Sequence, residues 1–265
     1  MTYSYAWDAV FNPGKAVDFF RANHLQPFEL HSPDFSRVNA WWLSELSRLI
    51  YLRGKDGHVT KAQTAARNHF LRKVGLTESW FYNGKHVQCA LINSLPGNRN
   101  YFSVLVFRGT QGGITPWLFN LSASLSPWPA GGEVHKGFKL LLMEAWEEIE
   151  KQLLKRAEPV YYTGHSLGGA LAVLAASLRE PKAVYTFGSP RVGNEDFVNR
   201  TKRMHIYRVV NTRDIVAGVS PLPGILHVGE PQYLTGCKAS GSQRSWFEAP
   251  TFLADHSPSN YTDQL

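Results

Sequence analysis

The chain has 265 residues, 43% of them apolar and 13% aromatic, which suits one α/β domain with a sizeable core and no help from metals or disulfides. Two cysteines, Cys89 and Cys237, exclude a disulfide-dense scaffold, and their spacing suggests no metal site. A net charge of +7 favours anionic partners, but scattered basic residues form no nucleic-acid-binding run. Their loose concentration at Arg48, Arg53, Lys55, Lys61, Arg67, Arg72 and Lys73 reads as a solvated helical face.

Residues 1–35 read as irregular, punctuated by Pro13, Pro27 and Pro33, and residues 1–60 form an N-terminal extension and helix. Met1 to Asp8 carries neither a basic nor an apolar leader pattern, and no apolar run reaches membrane-spanning length. The default expectation is cytoplasmic; an exported mature chain would read the same. Helical spacing of Val38, Trp41, Trp42, Leu46, Leu49 and Ile50 predicts a helix over 37–53, and 61–74 reads as another. Strands follow at 80–82, 86–92 and 101–107, the first two joined at the hairpin signal Asn83-Gly84.

The stretch 114–128 sets Trp117, Leu118, Phe119, Leu121, Leu125 and Trp128 at loose helical spacing behind Gly112-Gly113. It reads as an apolar lid over a cleft, spanning about 111–128; the plainer alternative is a buried helix. A long amphipathic helix is expected over 136–157, and then strand and helix alternate: strands at 159–163, 183–187 and 205–210, helices at 170–178 and 194–202. Antiparallel strands early and alternation later describe a mostly parallel mixed sheet flanked by helices, in α/β-hydrolase order within one domain.

The most informative residues are Thr163 to Ala172, which contain Gly164-His165-Ser166-Leu167-Gly168 between a strand and a helix. Small neighbours let a serine sit on a sharp strand-to-helix turn with its Oγ lifted out of the sheet. Ser166 is therefore the candidate nucleophile. It needs a base to take its proton and an acid to orient the base, in the chain order Ser, Asp or Glu, His. Asp214, just past the 205–210 strand, is the preferred acid over Glu195, Asp196 and Glu230. His256, on a polar loop, is the preferred base over His227, which reads as a hydrogen-bonded core residue. His165 is expected to pack, and Asp255 to face away from its neighbour. The N–H groups of Leu167 and of Thr110, the latter at the end of the 101–107 strand, are the candidate oxyanion donors.

Five stretches in order resemble the class 3 lipase family, which includes the filamentous-fungal triacylglycerol lipases: 106–110, 134–138, 163–172, 186–194 and 210–216. Asp255-His256 with Tyr261 resembles the family's catalytic-histidine segment, and 226–229 a structural stretch before it. The resemblance spans about 70–261 and implies an α/β-hydrolase fold, a triad of Ser166, Asp214 and His256, and an oxyanion hole of Thr110 and Leu167. Two features depart from the family: Asn120 stands where an Asp usually supports the oxyanion residue, and the fungal disulfide pattern is absent.

The expected activity is hydrolysis of acylglycerols at a lipid–water interface, with no metal or cofactor. The alternatives are a short-chain carboxylesterase, a phospholipase of the same fold, or a lipid- or partner-binding protein without turnover.

Overall fold

The computed structural model describes residues 4–7, 10, 18–21, 26–52, 61–97, 101–110, 124–218, 223–234 and 248–265, and its first regular element is α1 (Arg37–Leu49). Ser36 caps it, its Oγ accepting the Asn39 N–H at 3.0 Å. Helix α2 (Lys61–Lys73) leads into three antiparallel strands, β1 (Leu76–Asn83), β2 (Gln88–Ser94) and β3 (Ser103–Phe107). A small ribbon of β4 (Leu125–Pro127) and β5 (Glu133–His135) precedes α3 (Lys136–Leu153).

From there strand and helix alternate: β6 (Val160–His165), α4 (Leu167–Leu178), β7 (Ala183–Phe187), α5 (Glu195–Thr201), β8 (Ile206–Asn211), α6 (Ile215–Gly218) and β9 (Glu230–Leu234). Two short helices, α7 (Thr251–Ala254) and α8 (Pro258–Gln264), follow. The main sheet runs β1-β2-β3-β6-β7-β8-β9, with every pair from β3 onward parallel.

Side-chain alternation along the strands builds a core on each face. Val104, Val106, Tyr161, Tyr185, Phe187, Tyr207 and Val209 pack with Leu43, Leu46 and Leu49 of α1. Leu105, Phe107, Tyr162, Val184 and Ile206 pack on the other face with α3 and α4. Helix α3 turns one stripe inward, through Phe138, Leu141, Leu142, Ala145, Ile149 and Leu153. Helix α4 is buried on all sides from Leu167 to Ala176, so its start is a rigid platform.

Two expectations need correction. Arg48 and Arg67 do not belong to a solvated face: both are 1% exposed. Arg48 pairs with Glu45 at 2.9 Å and Asp18 at 2.8 Å, and Arg67 grips Glu78 at 2.7 Å and 2.9 Å. The partners of Arg67 and Arg48 include strand and loop residues far along the chain, so helical spacing alone could not reveal them. Arg72 and Lys73 are exposed as expected, while Arg53, Lys55 and the Lys61 side chain lie outside the described residues.

The hairpin expected at Asn83-Gly84 does form, joining β1 to β2. Asn83 pairs with Gln88, so four residues make the loop, and the Gly84 N–H donates to the Val87 carbonyl at 3.0 Å. His86 holds that wider loop against α3 by bonding Glu144 at 2.9 Å. By contrast, the end of the expected lid is not helical: Leu125 is in β4, and Trp128 is a core residue whose Nε1–H donates to Ser177 at 2.8 Å. The rest of that segment, 111–123, lies outside the described residues. No helix among the described residues is long and apolar enough to cross a membrane.

Candidate active site

The parallel strands deliver the candidate residues to one end of the sheet. Ser166 follows β6 directly and starts α4, with φ 56° and ψ −126°. A non-glycine residue rarely adopts that conformation, and it persists because both sides of the turn are fixed. The Ser166 N–H donates to the Phe187 carbonyl at 2.8 Å, and the Ser166 carbonyl accepts the Gly169 N–H at 2.9 Å.

A Cβ on Gly164 would strike the backbone of Gly168 and Gly169, as the sharp turn predicts. Gly168 has a further role. A Cβ there would strike the Phe107 carbonyl and the Arg108 backbone, so its bareness lets the α4 start press against the end of β3. That approach sets Gly109 beside Ser166. The Leu167 N–H, in the first turn of α4, has no intrahelical acceptor by helix geometry, and the helix dipole adds positive character there. A Cβ on Gly109, the residue before Thr110, would lie 3.4 Å from Ser166 Cβ, so the end of β3 reaches the turn.

Asp214 sits one short turn past β8, its side chain wholly buried. His256 lies between α7 and α8, 1% exposed. Its Nδ1 is 2.9 Å and 2.8 Å from the two Asp214 oxygens. A carboxylate can only accept, so Nδ1 carries the proton and Nε2 holds the lone pair. The Asp214 oxygens are fully used: Oδ1 also accepts the Val216 N–H at 2.8 Å, and Oδ2 the Tyr261 O–H at 2.6 Å. Among the described residues, His256 Nε2 and Ser166 Oγ, both buried, have no hydrogen-bond partner.

Two contributors had no role assigned from the sequence, although Tyr261 stood in the segment resembling the family's catalytic-histidine region. Tyr261 donates to Asp214 and itself accepts the Asn211 N–H at 3.1 Å, tying α8 to β8. Its place five residues beyond His256 was the available signal. Gly188, after β7, has φ +59°, and a Cβ there would lie 2.6 Å from Asp214 Oδ2 and 3.0 Å from the His256 ring. The pair therefore needs glycine at that point.

The alternatives fall elsewhere. Glu195, Asp196 and Glu230 are exposed. His227 donates from Nε2 to the Ala217 carbonyl at 2.7 Å, and burial together with Arg208 and Arg191 pushes it down to about 4. Asp255 turns from the His256 ring toward Arg213, 3.0 Å away, and burial pushes its carboxyl up to about 6. His165 is packed against the His256 ring, with centroids 4.6 Å apart. Trp117, Leu118, Phe119, Leu121 and Asn120 lie outside the described residues, as does Cys237; Cys89 is a buried free thiol whose pKa burial raises.

Comparison with known proteins bears on the same region. Residues 104–223 match the family model described as lipase (class 3). The secreted mono- and diacylglycerol lipase 1 of Fusarium solani is 38% identical over 134 residues, covering 44% of this chain and 39% of that protein. A lipase of Rhizomucor miehei is 36% identical over 154 residues, covering 49% of this chain and 41% of that protein. The chain thus spans about two fifths of the length of these curated relatives. Among solved structures, the native propeptide complex of Rhizomucor miehei lipase matches with TM-score 0.55 and 27% identity, over 72% of this chain and 68% of that one. The Fusarium relative is named as secreted, and the cytoplasmic expectation gains no support from these likenesses.

Proposed function

We propose that this chain, which has the α/β-hydrolase fold and matches the class 3 lipase model over residues 104–223, is a serine ester hydrolase acting on acylglycerols. The observation that carries the reading is a directed line of polar groups. It runs from Asp214 through His256 and ends in two buried atoms without partners among the described residues, His256 Nε2 and Ser166 Oγ. Buried polar atoms are rarely left unpaired, and such a pair at the start of α4 is arranged to receive something from outside.

The chemistry follows from those positions. His256 Nε2 takes the Ser166 hydroxyl proton as Oγ attacks the ester carbonyl carbon. Asp214 holds the ring in the required tautomer and stabilises the imidazolium. The N–H groups of Leu167 and Thr110 bind the oxyanion of the tetrahedral intermediate. Its collapse breaks the bond to the alcohol oxygen, which takes the proton back from His256. Water then repeats the cycle on the acyl-enzyme, with His256 again as base, and releases the fatty acid and free Ser166.

Relatives named as mono- and diacylglycerol lipase and as lipase support a lipid ester as substrate. The aromatic sequence around Trp117 to Leu121 and the positive net charge of +7 suit a lipid–water interface. The test is a series of p-nitrophenyl esters of increasing chain length, followed by emulsified acylglycerol. Expected are higher kcat/KM for long chains, a rate jump above the substrate's solubility limit, and no turnover by Ser166→Ala. Preference for the shortest ester without any jump would overturn the acylglycerol reading.

A further inference from the structure

A hydrogen-bonded path runs from the N-terminal helix to the backbone of His256. Tyr51, just beyond α1 and 1% exposed, places its hydroxyl 3.0 Å from His165 Nδ1. His165 Nε2 lies 2.6 Å from the His256 carbonyl oxygen. A carbonyl only accepts, so Nε2 of His165 carries the proton. On a neutral ring that leaves Nδ1 as an acceptor and makes the Tyr51 O–H its donor. Burial first, and then the neighbouring His256, keep His165 well below the usual imidazole range, so the ring is neutral.

The same phenol touches the other side of the site. A Cβ on Gly109 would run into the Tyr51 hydroxyl and the His165 carbonyl, so Tyr51 is wedged between the strand end that leads to Thr110 and the ring that precedes Ser166. Other N-terminal residues hold the segment that carries His256. Ser44 bonds Thr262 at 3.1 Å, Arg37 reaches the carbonyls of Gln264 and Leu265 at 2.6 Å and 2.9 Å, and the Ser4 N–H reaches Asn260 at 2.8 Å. These contacts all begin before residue 104, outside the segment matched to the family.

We infer that Tyr51 is a positioning residue for the reaction: through His165 it fixes the His256 carbonyl, and with it the ring that must face Ser166. The inference rests on the ester-hydrolase reading above. With both nitrogens engaged, His165 cannot compete for the Ser166 proton. It also stays uncharged beside His256 when His256 becomes imidazolium. Loss of the Tyr51 hydroxyl frees His165 to change tautomer, and the carbonyl of His256 then loses its donor.

The experiment compares the full-length wild type with Tyr51→Phe, His165→Gln and His165→Leu on a soluble p-nitrophenyl ester, with melting curves and 15N imidazole spectra. A glutamine can still donate to the His256 carbonyl and accept from Tyr51; a leucine can do neither. Tyr51→Phe is expected to lower kcat about tenfold with KM unchanged, since small misplacements of a reacting group cost that much or more. His165→Gln is expected within about threefold of wild type and His165→Leu about a hundredfold below it, all with cooperative melting. The spectra should show wild-type His165 protonated at Nε2. Unchanged kcat in Tyr51→Phe, equal losses in the two His165 variants, or a proton on His165 Nδ1 each overturn the inference while the hydrolase reading stands. If Tyr51→Phe does not melt cooperatively, the His165 pair decides by the same criterion. A wild type that neither hydrolyses esters nor reacts with a fluorophosphonate overturns both.

Discussion

Arg67, in the antiparallel part of the molecule, and Asp214, in the parallel part, are both buried charges, but their surroundings end differently. Arg67 bonds both oxygens of Glu78 and the Leu52 carbonyl, and its guanidinium lies 4.4 Å from the Phe81 ring centroid. Everything in that group is turned inward, and its role is to lock α2 onto β1. Asp214 is just as fully bonded, yet the line through His256 stops at two atoms with no partner among the described residues. A closed polar group holds a fold together; one that ends in open, buried atoms is shaped for a ligand or a reaction. Topology supports the division, because Ser166, Gly188 and Asp214 all follow the carboxyl ends of parallel strands.

Substitutions on the two sides should therefore separate activity from stability. The largest effect is expected at Ser166. Ser166→Gly should lower ester turnover by about 10⁴-fold or more and also raise the melting temperature, because glycine tolerates φ 56° without strain. A simultaneous loss of stability would break the reading of a strained turn. Next is Arg67→Ala, expected to cost about 3–5 kcal/mol in denaturant unfolding by leaving Glu78 buried and unpaired, with kcat of the folded fraction unchanged. A drop in kcat there would erase the contrast between the two parts.

Gly188→Ala should act on the reaction instead. Its Cβ would displace Asp214 and His256, lowering kcat roughly 10²-fold. Tyr261→Phe removes one of the bonds to Asp214 and leaves the Asn211 N–H without its acceptor. It should lower kcat by about tenfold and stability by about 1–2 kcal/mol.

How much of this was legible in the sequence depended on whether a residue's partners are local or set by chemistry. Ser166, Asp214 and His256 could be chosen because a nucleophile demands a base and an acid in a fixed order, and strand periodicity marks where each would emerge. The sheet was legible for the same reason: β3, β6 and β7 are short, buried runs between clear breaks. What escaped were residues whose meaning lies in distant contacts. Arg48 and Arg67 look like surface charges until Asp18 and Glu78 are placed beside them. Trp128 looks like part of an apolar lid until α4 is packed against it. Tyr51 stands 114 residues from the histidine that it bonds, and no local pattern connects them.

The smallest effect concerns pH and His227. Its folded-state pKa, depressed to about 4, lies below the unfolded value of about 6.5. Its contribution to stability is thus fully present above pH 6.5 and is lost as pH falls toward 4. His227→Gln can keep a donor near the Ala217 carbonyl while removing the titration. The variant should lose less stability than wild type between pH 6.5 and 4, by about 3 kcal/mol at most. Identical slopes in urea unfolding would show that this histidine is not held neutral.

Intact-protein mass spectrometry after treatment with a fluorophosphonate tests the nucleophile most directly. One adduct is expected, mapped to the peptide bearing Ser166, formed quickly by wild type, slowly by Asp214→Asn, and not at all by Ser166→Ala. No adduct on the folded wild type, or an adduct that survives Ser166→Ala, would contradict the account.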